Sequence, residues 1–296
     1  MAHVERFAPS PTGPLHLGHA FSALTAWDKA VKNGGEFLLR IEDIDQSRCR
    51  PEWEAQICED LEWLGIWWPK PVLRQSDRLE TYQKTLRDLW ALNRLYPCTC
   101  TRRDIKDAAQ APQEGMPNFG PDGIIYPRTC FPPSPYMSSE PFPENQTLRL
   151  DMGACTRTLG APKIDSERYF SFVETGAGPN GETGLIEFTA NEVDKTIGDI
   201  VLARRDMGTS YHLSVVLDDA FQGITHVTRG QDLFEATKIH VILQKLLGLP
   251  TPVYHHHTLI RDDTGKRLAK RDDARAISKY RAEGATPEDI QHMIGL

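Results

Sequence analysis

The stretch Arg6-Phe7-Ala8-Pro9-Ser10-Pro11-Thr12-Gly13-Pro14-Leu15-His16-Leu17-Gly18-His19 puts two imidazoles and a glycine where a loop enters a helix. The free N–H groups and positive dipole end of a helix N-terminus suit a phosphate. Gly18 lets a nucleotide approach the backbone closely. A bare His-x-Gly-His would read as a capping turn, but fourteen residues between a strand and a helix favour the phosphate site. Arg6, a planar cation with five donors, suits bidentate capture of a carboxylate. Glu42 falls at the expected C-terminal end of a strand, where open α/β sheets bind ligands. Outside that context it reads as a solvated acid beside Asp43 and Asp45.

Two other groups could carry chemistry. Residues 261–281 hold eight Lys or Arg against four Asp, in a chain whose net charge is −7. The default for such a run is a solvated basic face. The alternative is a phosphate loop in which Lys270 stabilises charge on a triphosphate and Gly265 permits movement. Cys98-x-Cys100 and Tyr126-x-x-x-Cys130 offer three thiolates to a structural zinc. The fourth ligand is open, because no histidine occurs between His19 and His212. Three reduced thiols are the plain alternative, and Cys49, Cys58 and Cys155 read as ordinary free thiols. His255, His256 and His257 look like a metal tract, but in a strand their side chains alternate between faces, so they read as structural.

The elements that position these residues follow from the apolar spacing. Val4 to Ala8 is extended and stopped by prolines. Ala20, Leu24, Trp27 and Val31 predict a helix over 20–33, ended by Gly34 and Gly35. Phe37 to Ile41 predicts a buried strand, Pro51 opens a helix to Gly65, and Asp77 with Glu80 opens another. Such alternation favours a parallel sheet covered by helices. Nine of the 21 prolines lie between Pro112 and Pro143, and 174–184 is rich in glycine, so regular patterning lapses until Ile197. With 40% apolar and 25% charged residues, no apolar run near 20 residues and no signal pattern, the expectation is a soluble cytoplasmic enzyme.

Taken together, the first motif resembles the nucleotide-binding signature of class I aminoacyl-tRNA synthetases, in the form used by glutamyl-tRNA synthetases. Three further stretches match in order: Arg40-Ile41-Glu42-Asp43-Ile44-Asp45; Tyr211 to Asp219, leading into Ile224 to Gly230; and Lys266-Arg267-Leu268-Ala269-Lys270-Arg271. The last departs from the family's Lys-Met-Ser-Lys-Ser but keeps the second lysine. The resemblance implies an α/β fold with a Rossmann-like parallel-sheet catalytic domain, an inserted zinc-binding subdomain and a short C-terminal helical segment. Residues 1–96 and 191–250 would form the catalytic halves, 97–190 the insertion, and 251–296 the lysine loop and C-terminal segment.

The resemblance makes His16, His19 and Lys270 catalytic and assigns ATP to His16, Gly18, His19 and Lys270. It assigns glutamate to Arg6, Ser10, Glu42, Tyr211 and Arg229. ATP would arrive with Mg2+. The shortened relatives of glutamyl-tRNA synthetase, the glutamyl-queuosine tRNA(Asp) synthetases, also share the cysteine pattern. This maps one zinc per chain to Cys98, Cys100, Tyr126 and Cys130, with Asp122 or water as a substitute for the phenolate. Only 26 residues follow Lys270, too few for the helical domains that grip an anticodon. The expected partners are therefore L-glutamate, ATP and tRNA(Asp) carrying queuosine, with no membrane and a monomeric state. The alternatives are charging of the terminal adenosine of tRNA(Glu), or a non-catalytic RNA-binding paralogue.

Overall fold

Strand β1 (Val4–Phe7) runs into Pro9 and Pro11, which remove the backbone donors a longer strand would need. The computed structural model describes residues 2–109, 119–132, 140–162, 167–260 and 275–296. Helix α1 (Leu17–Lys32) opens three residues earlier than its apolar spacing predicts, because His16 caps it. Strand β2 (Glu36–Ile41) follows, buried at Phe37, Leu39, Arg40 and Ile41. Helix α2 (Pro51–Trp63) begins on its proline, whose missing N–H would have had no partner there.

After β3 (Leu73–Arg74) comes a single 3-10 turn, Gln75–Arg78, and then α3 (Leu79–Ala91). The capping pair expected at Asp77 and Glu80 does not form. Asp43 takes the Ser76 backbone N–H at 2.8 Å and its hydroxyl at 2.6 Å, which fixes the turn and leaves Asp77 inside it.

The middle of the chain holds β4 (Leu95–Pro97), α4 (Arg102–Ala109), β5 (Phe119–Gly120), β6 (Gly123–Ile124), β7 (Leu148–Leu150), α5 (Met152–Thr158) and β8 (Ala161–Pro162). Then come β9 (Arg168–Glu174), β10 (Gly184–Thr189), α6 (Ala190–Thr196) and β11 (Val201–Ala203). The glycine-rich stretch after Glu174 is the connection of the antiparallel β9–β10 hairpin. Strands β11, β7 and β4 form an antiparallel sheet in that order, so its outer strands come from either side of the 97–190 segment.

The chain finishes with α7 (Tyr211–Phe221), β12 (His226–Gly230), α8 (Ala236–Leu247), β13 (Val253–His257), α9 (Ile277–Ala282) and α10 (Pro287–Ile294). Strands β1, β2 and β3 are parallel neighbours, as are β12 and β13, while β9 joins β13 in parallel at Glu174. The two groups meet where the Val4 N–H donates to Thr225 Oγ1 at 2.8 Å and the Thr225 N–H donates to Val4 O at 3.1 Å. The parallel α/β sheet expected from the strand–helix alternation is therefore present. Ile277, Ile290 and Ile294 bring the C-terminal helices into the core formed by α1, β2 and α2. Among the described residues, no helix is long and apolar enough to cross a membrane.

One buried acid works against this core. Among the described residues, both carboxylate oxygens of Asp60 are enclosed without a hydrogen-bond partner, and the Arg281 cation is 3.9 Å away. Burial outweighs that cation and pushes the Asp60 carboxyl up to about 6. The folded state then holds a proton that the unfolded state releases, so stability falls as pH rises from about 4 to about 6. Asp60→Asn removes this loss. Melting curves should show the variant gaining on the parent across that window and keeping the gain above pH 6. A difference independent of pH would refute the assignment.

Candidate active site

Asp219, in the third turn of α7, is the acceptor on which two buried arginines converge. Arg6 of β1 donates to its Oδ1 through Nε at 3.1 Å, and Arg40 of β2 donates to the same oxygen through Nη1 at 2.7 Å. Arg40 also reaches Glu42 Oε1 at 3.1 Å and Gln222 Oε1 at 3.1 Å. Burial opposes the Asp219 charge, but the two guanidinium groups prevail and hold its carboxyl below the usual range. For Glu42 the balance reverses: burial raises its carboxyl despite Arg40 and Arg6. Nε is the Arg6 donor spent on Asp219, so among the described residues its two Nη groups have the geometry of a fork that a carboxylate could match. The Glu42 N–H donates to Pro9 O at 3.0 Å, which ties the loop carrying Ser10 to the end of β2. Ser10 itself is exposed.

Tyr211 and Arg229 join this group. The Tyr211 hydroxyl is raised by burial and lies within the fields of Arg229, Glu42, Arg6 and Asp219. Arg229 of β12 is clamped: Nε donates to His256 Nε2 at 3.1 Å, Nη1 to His240 Nδ1 at 3.1 Å, and Nη2 to Thr237 Oγ1 at 2.6 Å and Leu233 O at 3.3 Å. One Nη1 hydrogen has no protein acceptor among the described residues. The structure thus gathers Arg6, Glu42, Tyr211 and Arg229 at the C-terminal side of parallel strands, where a ligand with an ammonium group and a carboxylate would find matched partners.

The motif histidines act on α1 in an unforeseen way. His16 Nδ1 accepts the Gly18 N–H at 3.1 Å, while His19 Nδ1 accepts the His16 N–H at 3.2 Å. The rings stack at 3.8 Å. Each neutral ring therefore carries its proton on Nε2. Gly18 sits in the first turn of that helix. Lys270 lies outside the described residues. The chain that follows returns to this motif, with Ala276 bridging His16 and the Ile277 N–H donating to Leu15 O at 2.9 Å.

Cys98, Cys100 and Cys130 come together, with their sulfurs within 4.8 Å of one another. The Tyr126 hydroxyl lies 3.4 Å from both Cys98 and Cys100 and accepts the Cys130 N–H at 2.8 Å. Sulfurs around a tetrahedral zinc stand about 3.8 Å apart, and the Cys100–Cys130 separation is 3.2 Å. The donor set fits that ion after small side-chain rotations. Asp122, the substitute ligand, is elsewhere: it sits on the β5–β6 turn with its carboxylate 3.5 Å from His212 Nε2. The histidine tract lies in β13, where His256 pairs with Glu174 and His257 with Ser22.

Sequence reasoning assigned no role to Arg40, Asp219, His240 or Glu174. Arg40 was detectable, because a charge inside Phe37-Leu38-Leu39-Arg40-Ile41 demands a buried counterion. Asp219 closes the matched stretch Tyr211 to Asp219, which does not reveal its partners, and His240 and Glu174 gave no local signal.

Residues 3–119 and 181–296 match the family of tRNA synthetases class I (E and Q), catalytic domain. The chain belongs to that family. A curated glutamyl-Q tRNA(Asp) synthetase from Rhodobacter capsulatus is 60% identical, over 99% of this chain and 100% of the relative. Another, from Symbiobacterium thermophilum, is 39% identical over 96% of this chain and 83% of its own length. A glutamate tRNA ligase from Elizabethkingia meningosepticum, solved in complex with its amino acid, superposes with a TM-score of 0.70 at 25% identity. That match covers 100% of this chain but only 61% of the ligase. A methionyl-tRNA synthetase from Mycobacterium tuberculosis shares the fold at 12% identity, with a TM-score of 0.57 over 99% of this chain and 64% of its own.

The shared carboxylate gives a direct test. Asp219→Ala takes the carboxylate from the buried Arg6 guanidinium and leaves Arg40 with Glu42 and Gln222 alone, and breaking a buried pair costs about 3–5 kcal/mol. Denaturant unfolding should show a loss of that size. A loss below about 1 kcal/mol would mean that Glu42 and Gln222 suffice for Arg40 and that Arg6 is not held by Asp219.

Proposed function

We propose that the chain is an ATP-dependent ligase that activates L-glutamate as glutamyl-adenylate and transfers it to the queuosine base in the anticodon of tRNA(Asp). The observation that carries this reading is the match to a glutamyl-Q tRNA(Asp) synthetase along that relative's whole length. In this reading the Nη fork of Arg6 holds the side-chain carboxylate, Glu42 takes the ammonium group, and Tyr211, Arg229 and Ser10 complete the glutamate site. The Nε2–H groups of His16 and His19 donate to the ATP phosphates, which approach the backbone at Gly18. Lys270 stabilises phosphate charge as it redistributes, and Mg2+ accompanies the nucleotide.

Attack of the glutamate α-carboxylate on the α-phosphorus releases pyrophosphate. A hydroxyl of the queuosine cyclopentenediol then attacks the adenylate carbonyl, forming an ester and releasing AMP. Zinc held by Cys98, Cys100, Cys130 and Tyr126 would have a closed sphere, so it would tie the β4 and β6 connections together and take no part in the reaction. The enzyme would work as a monomer in the cytoplasm.

The amino-acid assignment is checked by ATP–pyrophosphate exchange. Glutamate should support it at least about tenfold better than glutamine, because a charge-assisted hydrogen bond is worth about 1.5–3 kcal/mol. Equal exchange would remove Arg6 from its role. Lys270→Ala should lower the rate more than it weakens glutamate binding. For the acceptor, labelled glutamate should enter tRNA(Asp) only when queuosine is present, and mild base should release it. Label confined to the terminal adenosine of tRNA(Glu) would instead identify a conventional charging enzyme.

The metal is tested separately. Untagged, reduced protein should carry about one zinc per chain, and Cys98→Ser or Cys130→Ser should lose it. Metal-free protein with three titratable thiols would establish the plain alternative.

A further inference from the structure

The clamp on Arg229 continues in both directions as a chain of defined polarity. A guanidinium only donates, so His256 Nε2 and His240 Nδ1 must both be unprotonated acceptors. On one side, His256 therefore carries its proton on Nδ1 and gives it to Glu174, whose carboxylate also takes the His256 and Gly176 N–H groups. On the other side, His240 carries its proton on Nε2, which faces His212 Nδ1 at 3.2 Å. His212 must accept there, so its own proton is on Nε2, directed at Asp122 at 3.5 Å. Every hydrogen points outward from Arg229, and each end is a carboxylate. Arg229, His240, His212, His256 and Glu174 are all buried, so water does not compete for these bonds.

The Asp122 arm also crosses between parts of the molecule. Arg229 lies on β12 and His240 on α8, both in the second stretch that matches the synthetase family. Asp122 lies on the β5–β6 turn, between the two matched stretches. We propose that His240 and His212 are positioning residues: they hold the Arg229 guanidinium so that its remaining Nη1 hydrogen faces the amino acid, and they tie that orientation to Asp122 on the β5–β6 turn. The proposal rests on the assignment of Arg229 to glutamate made above. It adds a specific cause for the guanidinium's orientation and a route by which the intervening segment influences glutamate affinity.

Nitrogen NMR on histidine-labelled full-length protein reads the tautomers directly. His240 and His212 should be protonated on Nε2 alone, and His256 on Nδ1 alone. A His240 protonated on Nδ1, or as imidazolium, at neutral pH overturns the chain. In ATP–pyrophosphate exchange, His240→Ala should raise KM for glutamate about tenfold, the worth of a hydrogen bond to a charged group. Its kcat and its KM for ATP should stay near the parent values. His240→Asn places an oxygen near the Nδ1 position and should recover most of the affinity. Asp122→Ala, on a half-exposed turn, should raise the glutamate KM about threefold, as a terminal link worth less than one full bond.

If His240→Ala fails to fold, the Asn and Asp122 variants decide. An unchanged glutamate KM in Asp122→Ala, together with a large increase in His240→Asn, would refute the proposal. Arg229→Met separates the two assignments. If it leaves KM for glutamate unchanged, the substrate assignment falls and the proposal falls with it. If it raises KM while folded His240→Ala does not, the positioning proposal alone is wrong.

Discussion

A single carboxylate oxygen shared by two buried arginines sets the geometry of the whole site. Asp219 Oδ1 receives Arg6 from β1 and Arg40 from β2, and through Arg40 it also fixes Glu42. Removing these charges from water is expensive, and the cost is offset only where each is paired with good geometry. That requirement anchors the Asp219 end of α7 to the arginines of the first two strands. The same helix presents Tyr211 at its start and Asp219 further on, and its Asp218 is gripped by Gln75, Arg78 and Tyr82. The position of the helix is thus fixed from two sides by charge, independently of its apolar packing.

Polarity imposed by donor-only groups recurs elsewhere. Arg229 sets the proton positions of His240 and His256, and the backbone N–H groups at the start of α1 set those of His16 and His19. In each case a titratable ring is reduced to one tautomer by a partner that cannot accept. Burial, the largest influence on His240 and His256, lowers both imidazoles and keeps these rings neutral. In the proposed reading, the donors assigned to the substrates are therefore set before either substrate arrives, which lowers the reorganisation needed on binding.

The fold was legible where local spacing carries the information. Apolar periodicity located α1 and α2, prolines marked the end of β1 and the start of α2, and alternation of strands with helices pointed to a parallel sheet. What the sequence could not display were pairings over long separations. Arg6 and Asp219 are 213 positions apart, and Arg40 and Asp219 are 179 apart. His240 sits in Ile239-His240-Val241, where a buried histidine in an apolar helix looks like ordinary core. The capping pair expected at Asp77 and Glu80 failed for a related reason: the more distant Asp43 claimed the turn first. The site residues that resemblance singled out were embedded in contiguous motifs; Arg40 and Asp219 lie in those same motifs, but their pairing does not show in them, and His240 and Glu174 lie outside.

The antiparallel sheet of β11, β7 and β4 has an implication for how this architecture tolerates change. The chain leaves the first half of the molecule through β4 and re-enters the second half through β11, and both strands pair with β7 between them. Two strand spacings put the exit and the return about 10 Å apart. The base of the intervening segment is therefore stapled whatever its length. Lengthening a loop that hangs from a fixed base costs only a slowly growing closure entropy, about 0.6 kcal/mol per doubling. Length variation can accumulate in the loops beyond that staple, outside the β5–β6 turn that carries Asp122 and the β9 strand that carries Glu174, without disturbing the strand ends that carry Arg6, Glu42 and Arg229. Those loops are free to diverge in size and surface while the chemistry beneath them stays in register.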